Sequence, residues 1–169
     1  MPHFVDELYE LFNENPRVHF NYIKKDIMCK YFWDNGKKFV GYYDINKLTD
    51  ECKLKFGVDR SIILKYLEKS KKKYDLVENI FIKNSLHKLK NLISIDTLKA
   101  LVKINTFQLF KTLNKVNKEK LKNKYLVQVF NRFATYNGSS PYKTPGMMSA
   151  IQNAEKHYGS FIPFKGMGD

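Results

Sequence analysis

The sequence predicts an α+β fold that is mostly helical and carries a small antiparallel β-hairpin. Two runs rich in aromatic and β-branched residues, MCKYFW and KFVGYY, flank the turn dipeptide Asn35-Gly36. This arrangement is the strongest short-range signal of a hairpin and predicts strands near residues 26–33 and 38–44. From residue 46 onwards the apolar residues follow helical spacing almost to the end. With 169 residues, of which 43% are hydrophobic, we assign 1–169 to a single domain.

Helix boundaries follow from apolar spacing, breakers and caps. The first helix is expected at residues 4–12, before an Asn-Glu-Asn-Pro breaker, and the second at 48–56, closed by Gly57. Asp59 is the expected N-cap of a third helix, whose lysine run KSKKK (residues 69–73) is predicted to face solvent. Further helical segments are expected at 86–92, 96–102, 104–116, 118–134 and 146–158, the last stopping at Gly159 before a short strand at 160–163.

The chain is strongly basic, with 30 Lys and Arg against 17 Asp and Glu and a formal charge of +13. Such a balance is typical of proteins that meet nucleic acid or an anionic membrane surface. A solvated lysine surface on amphipathic helices explains the same composition equally well. Nucleic-acid contact by residues 69–73 is the less favoured reading of that run.

Cysteine and histidine usage argues against a disulfide framework and a metal site. Cys29 and Cys52 stand in a predicted strand and a predicted helix, without metal-ligand spacing, and are expected to be reduced thiols of a cytosolic protein. The histidines are far apart in the chain, so no zinc signature is present. The longest apolar runs are too short to span a membrane, and the acidic, aromatic N-terminus does not resemble a signal peptide.

Several catalytic signatures are missing from the sequence. It contains no GxSxG elbow, no GxxxxGK[ST] phosphate loop, no HExxH helix and no GxGxxG. The lone GxG at residues 166–168 stands at the end of the chain. The residues alone therefore identify neither a nucleophile nor a cofactor site.

The most specific stretch is the central loop, residues 131–145, which reads NRFATYNGSSPYKTP. Asn137-Gly138 is a turn dipeptide, because Gly and Asn enter positive φ at low cost. Thr144 and Pro145 suit the N-cap and the first position of a following helix. An ordered loop between two helices commonly positions a functional group.

The central loop and the segment after it resemble the phytoene desaturase family of carotenoid desaturases. The match comprises the pattern Arg132-x-Ala134-Thr135-Tyr136-x-Gly138-Ser139-x-Pro141, then Pro145, Glu155, Gly159, Pro163 and Gly166-Met167. Upstream, the segments HFNYIKKDIMCKYFWDNGKKF, DRSIILKYLEKSKKKYDL and SLHKLKNL are similar to the central region of that family. The resemblance thus covers nearly the whole chain.

This resemblance implies an FAD-dependent oxidoreductase that dehydrogenates a long apolar polyene, with this chain as the central, substrate-domain portion of a larger FAD-binding fold. The N-terminal dinucleotide-binding segment and the C-terminal FAD segment of the family are not in it, so the isolated chain is expected to be inactive. The implied site residues are Arg132, Tyr136, Asn137 and Ser139 for substrate, and Gly166 and Met167 for FAD.

The same resemblance assigns no catalytic residue, since the cofactor performs the hydride chemistry. The family usually has two adjacent glycines before the methionine, whereas this sequence has Lys165-Gly166-Met167. It further implies a cytoplasmic protein attached peripherally to the membrane that holds its carotenoid. The alternative function is that of a basic helical module that binds an anionic membrane surface or nucleic acid. Its support is the net charge alone.

Overall fold

A computed structural model describes residues 2–78, 108–164 and 166. The helices expected at 86–92 and 96–102 lie outside these residues, as does the beginning of the 104–116 segment. The described α-helices are α1 (Pro2–Leu11), α2 (Pro16–His19), α3 (Ile45–Phe56), α4 (Arg60–Val77), α5 (Leu113–Leu121), α6 (Lys124–Asn131) and α7 (Ile151–Tyr158). The strands are β1 (Tyr22–Lys25), β2 (Ile27–Phe32), β3 (Lys38–Tyr42) and β4 (Ser160–Pro163), so the α+β prediction is confirmed.

The predicted hairpin is confirmed as the antiparallel pair β2 and β3. Gly36 adopts a φ of 77° and donates its N–H to the carbonyl of Trp33, which closes the turn. The hairpin tip also docks on α6, because the Trp33 indole donates to Gln128 Oε1 at 2.6 Å and the Asn35 amide donates to the Tyr125 hydroxyl at 2.7 Å. The hairpin is thereby tied to the helices.

A second antiparallel pair joins distant parts of the chain, with β1 pairing to β4 from Tyr22↔Pro163 to Lys25↔Ser160. The strand at residues 160–163 was predicted and is confirmed. Its partner β1 and the short helix α2 were not predicted. β1 is only four residues long and three of them are exposed, so it lacks the alternation that marks a strand in sequence.

Helix α3 ends at the predicted glycine and α4 begins after the predicted Asp59, whereas the N-cap of α3 was not predicted. The Asp44 carboxylate accepts the N–H of Lys47 at 2.8 Å at the start of α3, and Gly57 ends that helix with a φ of 66°. Asp59 occupies the N-cap position of α4, although its side chain makes no capping hydrogen bond. The first helix is also confirmed, but its predicted apolar face, including Leu8 and Phe12, is largely exposed in the described residues.

The single long helix predicted at 118–134 is wrong, because the chain forms α5 and α6 there. Lys122 takes a left-handed conformation with a φ of 53° and ends α5. Asn123 then caps α6, its Oδ1 accepting the N–H groups of Tyr125 and Leu126 at 3.0 and 3.2 Å. The helix predicted at 104–116 is wrong at residues 108–112, which form a turn and the Thr112 cap, and is confirmed at 113–116, the first residues of α5.

The predicted helix at 146–158 is replaced by a 3-10 helix (Gly146–Ala150) followed by α7, and the stop at Gly159 is confirmed by its φ of 87°. Thr144 is not an N-cap: its buried hydroxyl donates to the carbonyl of Ser140 at 2.9 Å, and Pro145 occupies the cap position. Thr112 and Pro145 instead form an isolated bridge that holds the loop against the start of α5.

The hydrophobic core lies where β3, α3, α4, α5 and α6 meet. Its fully buried members share contacts across these elements: Phe39, Leu48, Cys52, Val58, Ile63, Tyr66, Leu113, Leu121, Leu126, Val127, Val129, Phe130, Phe133 and Ala134. Cys29 in β2 and Cys52 in α3 are both free thiols, as their sequence contexts predicted. No helix in the described part of the chain combines the length and the apolarity needed to cross a bilayer.

The prediction that residues 69–73 face solvent as a unit is wrong, because Ser70 is 2% exposed and Lys73 is 5% exposed. The Lys73 ammonium donates to Gln108 Oε1 at 2.6 Å, to Ser149 Oγ at 2.7 Å and to the Gly146 carbonyl at 3.2 Å. These partners come from segments remote in sequence. The run itself gave no sign of this burial.

A ladder of amide side chains links α4, α5 and α6 beside the core. The buried Tyr66 hydroxyl donates to Asn117 Oδ1, the Asn117 amide donates to Asn131 Oδ1 at 2.9 Å, and the Asn131 amide donates to Asn114 Oδ1 at 3.0 Å. Buried polar groups are stable only when they are paired in this way. Asn117 is the central member because it serves both neighbours.

Replacing Asn117 with Ala is expected to lower the free energy of unfolding by about 2–4 kcal/mol, since it leaves the Tyr66 hydroxyl and the Asn131 carbonyl without their partners. The matched control is Asn153→Ala in α7, at a half-buried position outside the ladder. Urea unfolding followed by circular dichroism measures both variants. Equal losses in the two would contradict a structural role for the ladder.

Candidate functional site

The candidate site begins where the backbone changes from the α-helix α6 to a 3-10 helix. The chain passes directly from α6 into a 3-10 helix (Arg132–Asn137), which ends where Gly138 takes a left-handed φ of 59°. The predicted turn at this glycine is therefore confirmed. The tighter winding brings Arg132 and Tyr136 to the same carboxylate on α7.

That carboxylate is Glu155, which holds both side chains. Arg132 Nη2 lies 2.7 Å from Glu155 Oε1 and 2.8 Å from Oε2, and the Tyr136 hydroxyl donates to Oε2 at 2.8 Å. The Glu155 side chain is only 7% exposed, against 28% for Arg132. Charge-assisted hydrogen bonds in such a shielded position are stronger than those on an open surface.

Arg132 also reaches back to the hairpin. Its Nε donates to the Tyr31 hydroxyl of β2 at 3.0 Å, and its guanidinium carbon lies 4.7 Å from the centre of the Phe133 ring. One side chain thus joins β2, the central loop and α7. We call Tyr31, Arg132, Tyr136 and Glu155 the arginine cluster.

Each titratable group of this cluster with a shifted pKa is held in its ordinary protonation state. Burial raises the pKa of Tyr31 to about 12, so its hydroxyl stays protonated. Burial by itself lowers the pKa of Arg132, but its electrostatic interactions and hydrogen bonds with Tyr31 and Glu155 together outweigh burial and raise that pKa overall. Burial and the Glu155 hydrogen bond raise the pKa of Tyr136. The cluster is therefore suited to hold geometry rather than to exchange protons near neutral pH.

A hollow of about 180 Å³ opens beside this cluster. Tyr136 lines it together with Ile151, Ala154 and Tyr158 of α7, and Glu155, Gly159 and Ser160 complete the wall. Tyr136 remains 57% exposed although its hydroxyl is bonded, so the face of the ring is accessible. A wall of mostly apolar residues, whose one carboxylate is already paired with Arg132 and Tyr136, is suited to contact a hydrophobic ligand.

The structure brings together only part of the predicted substrate set. Arg132 and Tyr136 meet on Glu155, whereas Asn137 and Ser139 lie exposed on the outer part of the loop. The Asn137 amide lies 3.4 Å from Met148 Sδ, and the Ser139 N–H donates to the Ala134 carbonyl at 3.2 Å. Substrate contact by these four residues stays a prediction.

The predicted cofactor pair lies after β4. Gly166 has a φ of 105° and donates its N–H to the Pro163 carbonyl at 3.2 Å, and no described residue lies within 4 Å of where a Cβ would stand. Met167 lies outside the described residues. Across the described ranges, no group of three His, Cys, Asp or Glu side chains is placed to hold a metal ion.

Sequence reasoning missed two members of the cluster as site residues, Tyr31 and Glu155. Glu155 stood in the family pattern, four residues before the glycine that ends α7, but a single glutamate on an amphipathic helix carries no local signal of burial. Tyr31 is 101 residues from Arg132 in sequence, so nothing in its own strand indicated the contact. Their place in the site is seen only from their contacts with Arg132 in the structure.

A second buried cation lies next to the arginine cluster. The Lys156 ammonium donates to the carbonyl of Tyr42, and burial lowers its pKa to about 8. Nearby Cys52 is fully buried, and burial raises the pKa of its thiol to about 12. As pH rises, loss of the Lys156 proton increases the stability of the fold, whereas ionisation of the Cys52 thiol in the unfolded chain decreases it.

Comparison with known proteins finds relatives over almost the whole chain. It is 42% identical over 167 residues to 1-hydroxycarotenoid 3,4-desaturase of Flavobacterium sp. (strain P99-3), a match that covers 99% of this chain and 34% of the relative. It is 22% identical over 153 residues to 4,4'-diapolycopen-4-al dehydrogenase of Metabacillus indicus, covering 90% of this chain and 28% of that protein. No protein-family model matches the chain.

The predicted resemblance to carotenoid desaturases is therefore confirmed. The chain spans about a third of the length of the curated relatives it matches. The similarity extends beyond the central loop to the hairpin, α3, α4 and α7, because 167 of the 169 residues take part in the first match.

Replacing Glu155 with Gln is expected to lower the free energy of unfolding by about 2–4 kcal/mol, because it removes the charge opposite a shielded guanidinium while keeping the side-chain shape. The control is Glu119→Gln, which breaks the more exposed Lys111–Glu119 pair and should cost less than about 1 kcal/mol. Urea midpoints of the two variants decide the comparison, and equal costs would contradict the special role of Glu155.

Stability is expected to rise above about pH 8, more steeply up to about pH 9 than between pH 9 and the ordinary lysine pKa of 10.5, where Cys52 opposes the two lysines. Lys156 has a folded pKa of about 8 against 10.5, so the unfolded chain binds more protons in that window and the penalty of burying the charge is relieved as pH rises. Lys73, whose pKa burial also lowers to about 8, acts in the same direction. The stabilisation from the protonated Cys52 thiol is complete below about pH 9 and is lost as pH rises towards 12.

Unfolding free energies measured by urea titration at several pH values check this profile. Lys156→Met should remove part of the rise, of about 1 kcal/mol, and leave the decline at higher pH in place. The exposed Lys65→Met serves as the control and should leave the profile unchanged. A Lys156→Met profile identical to that of the unaltered chain would contradict the assignment.

Proposed function

We propose that this chain forms part of an FAD-dependent oxidoreductase that dehydrogenates a carotenoid. The observation that carries the proposal is the 42% identity to a carotenoid desaturase over 99% of the chain. The second relative, also named for an oxidation of a carotenoid, supports the same reaction class. The similarity bears on substrate chemistry as well as fold, because the central loop with its specific side chains lies inside the matched stretch.

Within such an enzyme the chain acts as one substrate-side domain, residues 1–169. The hairpin β2–β3 and helices α3 to α7 contribute side chains to one core, which supports treating them as a unit. Because the relatives are about three times as long, the chain on its own lacks most of the mass of the enzyme and is expected to be inactive. The remaining segments of the enzyme are its partners.

The arginine cluster supports the substrate role of the loop in a specific way. A bare guanidinium beside an apolar polyene would pay a large desolvation cost. Glu155 neutralises Arg132 and accepts the Tyr136 hydroxyl, so the Tyr136 ring is presented to the hollow with its polar end already bonded. Arg132 and Glu155 are positioning residues, and Tyr136 is the side chain that meets the substrate.

Asn137 and Ser139 complete the proposed substrate set. Both lie exposed in the part of the loop that follows Tyr136, where they are proposed to border a ligand lying across the ring. Neither carries a charge, which suits an apolar or hydroxylated polyene. They are proposed to limit the end of the hollow rather than to bind tightly.

The residues present at Gly166 fit the approach of a planar cofactor. Gly166 has no side chain, no described residue comes within 4 Å of where a Cβ would stand, and a φ of 105° is one that glycine adopts easily. Gly166 and Met167 would hold FAD on this side. When bound, the flavin supplies the hydride acceptor for the dehydrogenation.

The protein is further proposed to be cytoplasmic and to attach peripherally to the membrane in which its carotenoid dissolves. The formal charge of +13 supports attraction to anionic headgroups. Attachment by charge of this kind weakens as salt is raised, because exposed charges are screened. Nucleic acid is the less favoured anionic partner.

The test uses the full protein that carries this chain, purified with FAD and supplied with a hydroxylated carotenoid in liposomes. Lengthened conjugation shifts the absorption of the carotenoid to longer wavelength, which reports turnover directly. Tyr136→Ala is expected to lower the rate by roughly tenfold, the effect of about 1.4 kcal/mol of lost ring contact.

Two controls accompany this measurement. Tyr142→Ala removes another exposed tyrosine of the same loop and should change the rate by less than about twofold. Tyr136→Phe keeps the ring and loses only its bond to Glu155, so it should retain most of the rate. A protein that binds no flavin and leaves the carotenoid spectrum unchanged would contradict the proposed function.

A further inference from the structure

A cavity of about 320 Å³ lies between α4 and α5, away from the arginine cluster. Its volume is roughly ten times the share of one water molecule in the liquid. Four lysines line it, Lys69, Lys72 and Lys73 from α4 and Lys120 from α5. Among the described lining residues there is no carboxylate.

Neighbouring carboxylates do not neutralise this set. Glu68 pairs with Lys72 at 2.8 Å, but both side chains are more than half exposed, so the pair is weak. Glu119 precedes Lys120 in α5, and its carboxylate is taken by Lys111 at 2.9 and 3.0 Å. The cavity therefore retains most of its positive charge.

Lys73 distinguishes this cavity from a solvated lysine surface. It is 5% exposed, and its three hydrogen-bond acceptors, Gln108 Oε1, Ser149 Oγ and the Gly146 carbonyl, are all uncharged. A buried ammonium without an opposite charge is costly. Burial, and then repulsion by Lys120 and Lys69, lowers the pKa of Lys73, as expected for cations gathered without a counterion.

The floor of the cavity adds uncharged polar groups. Ser70 and Ser149 line it and are 2% and 1% exposed, and Tyr66 lies beside them. The residue behind Ser70 is Gln152, fully buried, whose Oε1 has no partner among the described residues. Lysines around a hydroxyl-lined floor form the kind of surface that binds phosphate oxygens.

We propose that this cavity is a binding site for a phosphate-type anion, either a soluble phosphate or the phosphate of a lipid headgroup. Lys69 and Lys120 are the cations that contact it from the rim, and Lys73 supplies positive potential from the wall. The bound anion would provide the counter-charge for Lys69, Lys73 and Lys120, since Lys72 already has a weak ion pair with Glu68. This inference is independent of the oxidoreductase chemistry, because the cavity does not include the loop residues assigned to the carotenoid.

The test compares two charge-matched double variants of the full protein that carries this chain. Lys69→Gln with Lys120→Gln removes two rim cations, whereas Lys65→Gln with Lys118→Gln removes two exposed lysines of the same helices outside the cavity lining. Both variants lose the same net charge, and all four side chains are exposed, so folding, checked by circular dichroism, should persist. Lys73 is left intact because its removal risks the fold.

Phosphate binding is measured by isothermal titration with inorganic phosphate in a phosphate-free, low-salt buffer. Lys69→Gln with Lys120→Gln should weaken binding by about tenfold or more, and the Lys65/Lys118 variant by less than about twofold. Equal weakening in both variants would overturn the proposal in favour of diffuse surface charge. An absence of binding to both phosphate and the vesicles described below would also overturn it.

Flotation with phosphatidylcholine vesicles containing phosphatidic acid identifies the source of the phosphate. A lipid headgroup in the cavity is supported by three results together. The variant Lys69→Gln with Lys120→Gln loses vesicle binding, the Lys65/Lys118 control keeps it, and inorganic phosphate displaces the vesicles. A soluble phosphate is supported if binding of inorganic phosphate depends on the rim lysines and added phosphate leaves vesicle binding unaffected. Binding of a single-stranded oligonucleotide lost equally in both variants, without phosphate binding, would overturn the site and favour nonspecific nucleic-acid contact.

Discussion

The ion pair between Arg132 and Glu155 is the interaction on which the candidate site depends. It connects residues 23 apart in sequence, and the same guanidinium reaches a tyrosine 101 residues away in β2. The three elements that it joins, β2, the 3-10 helix and α7, are each only six to eight residues long, so each has few other contacts that fix its orientation. A shielded, charge-assisted contact at their meeting point supplies that constraint, because a partner left unpaired there would carry the full cost of a buried charge.

The protein accommodates its basic composition in two ways. Many of the described lysines lie on helix surfaces, but Lys73 and Lys156 are drawn inward, where backbone carbonyls and a neutral side chain accept hydrogen bonds from their ammonium groups. The amide ladder of Asn117 performs a similar role for polar groups beside the core. The interior is thus held by directional polar contacts as well as by apolar packing. Such contacts fix one arrangement of helices, since a shifted register would leave donors unpaired.

Two surfaces of different chemistry follow from this arrangement. The hollow beside Tyr136 is mostly apolar and has its nearest charges neutralised within the arginine cluster, which suits a polyene. The cavity between α4 and α5 is cationic and suits a phosphate. An enzyme that takes an apolar substrate from a membrane has use for both kinds of surface. The separation of the two keeps cations away from the polyene, where their desolvation would be costly.

The sequence by itself determined the features that a few neighbouring residues decide. The Asn35-Gly36 hairpin, the end of α3 at Gly57, the stop at Gly159, the strand at 160–163 and the family resemblance of the central loop all follow from local turn chemistry or a contiguous motif. The break between α5 and α6 was only partly predictable. Asn123 is a residue type that favours the N-cap, but no sequence pattern indicates that the lysine before it adopts a left-handed conformation.

Only the tertiary structure decided which polar side chains are buried and what they meet. Glu155 and Lys73 look like surface residues of amphipathic helices, yet their partners come from segments distant in the chain. The pairing of β1 with β4 likewise joins the two ends of the described chain. The physical reason is that burial of a charge and pairing of a strand depend on non-local contacts, whose free energy no short window of sequence contains.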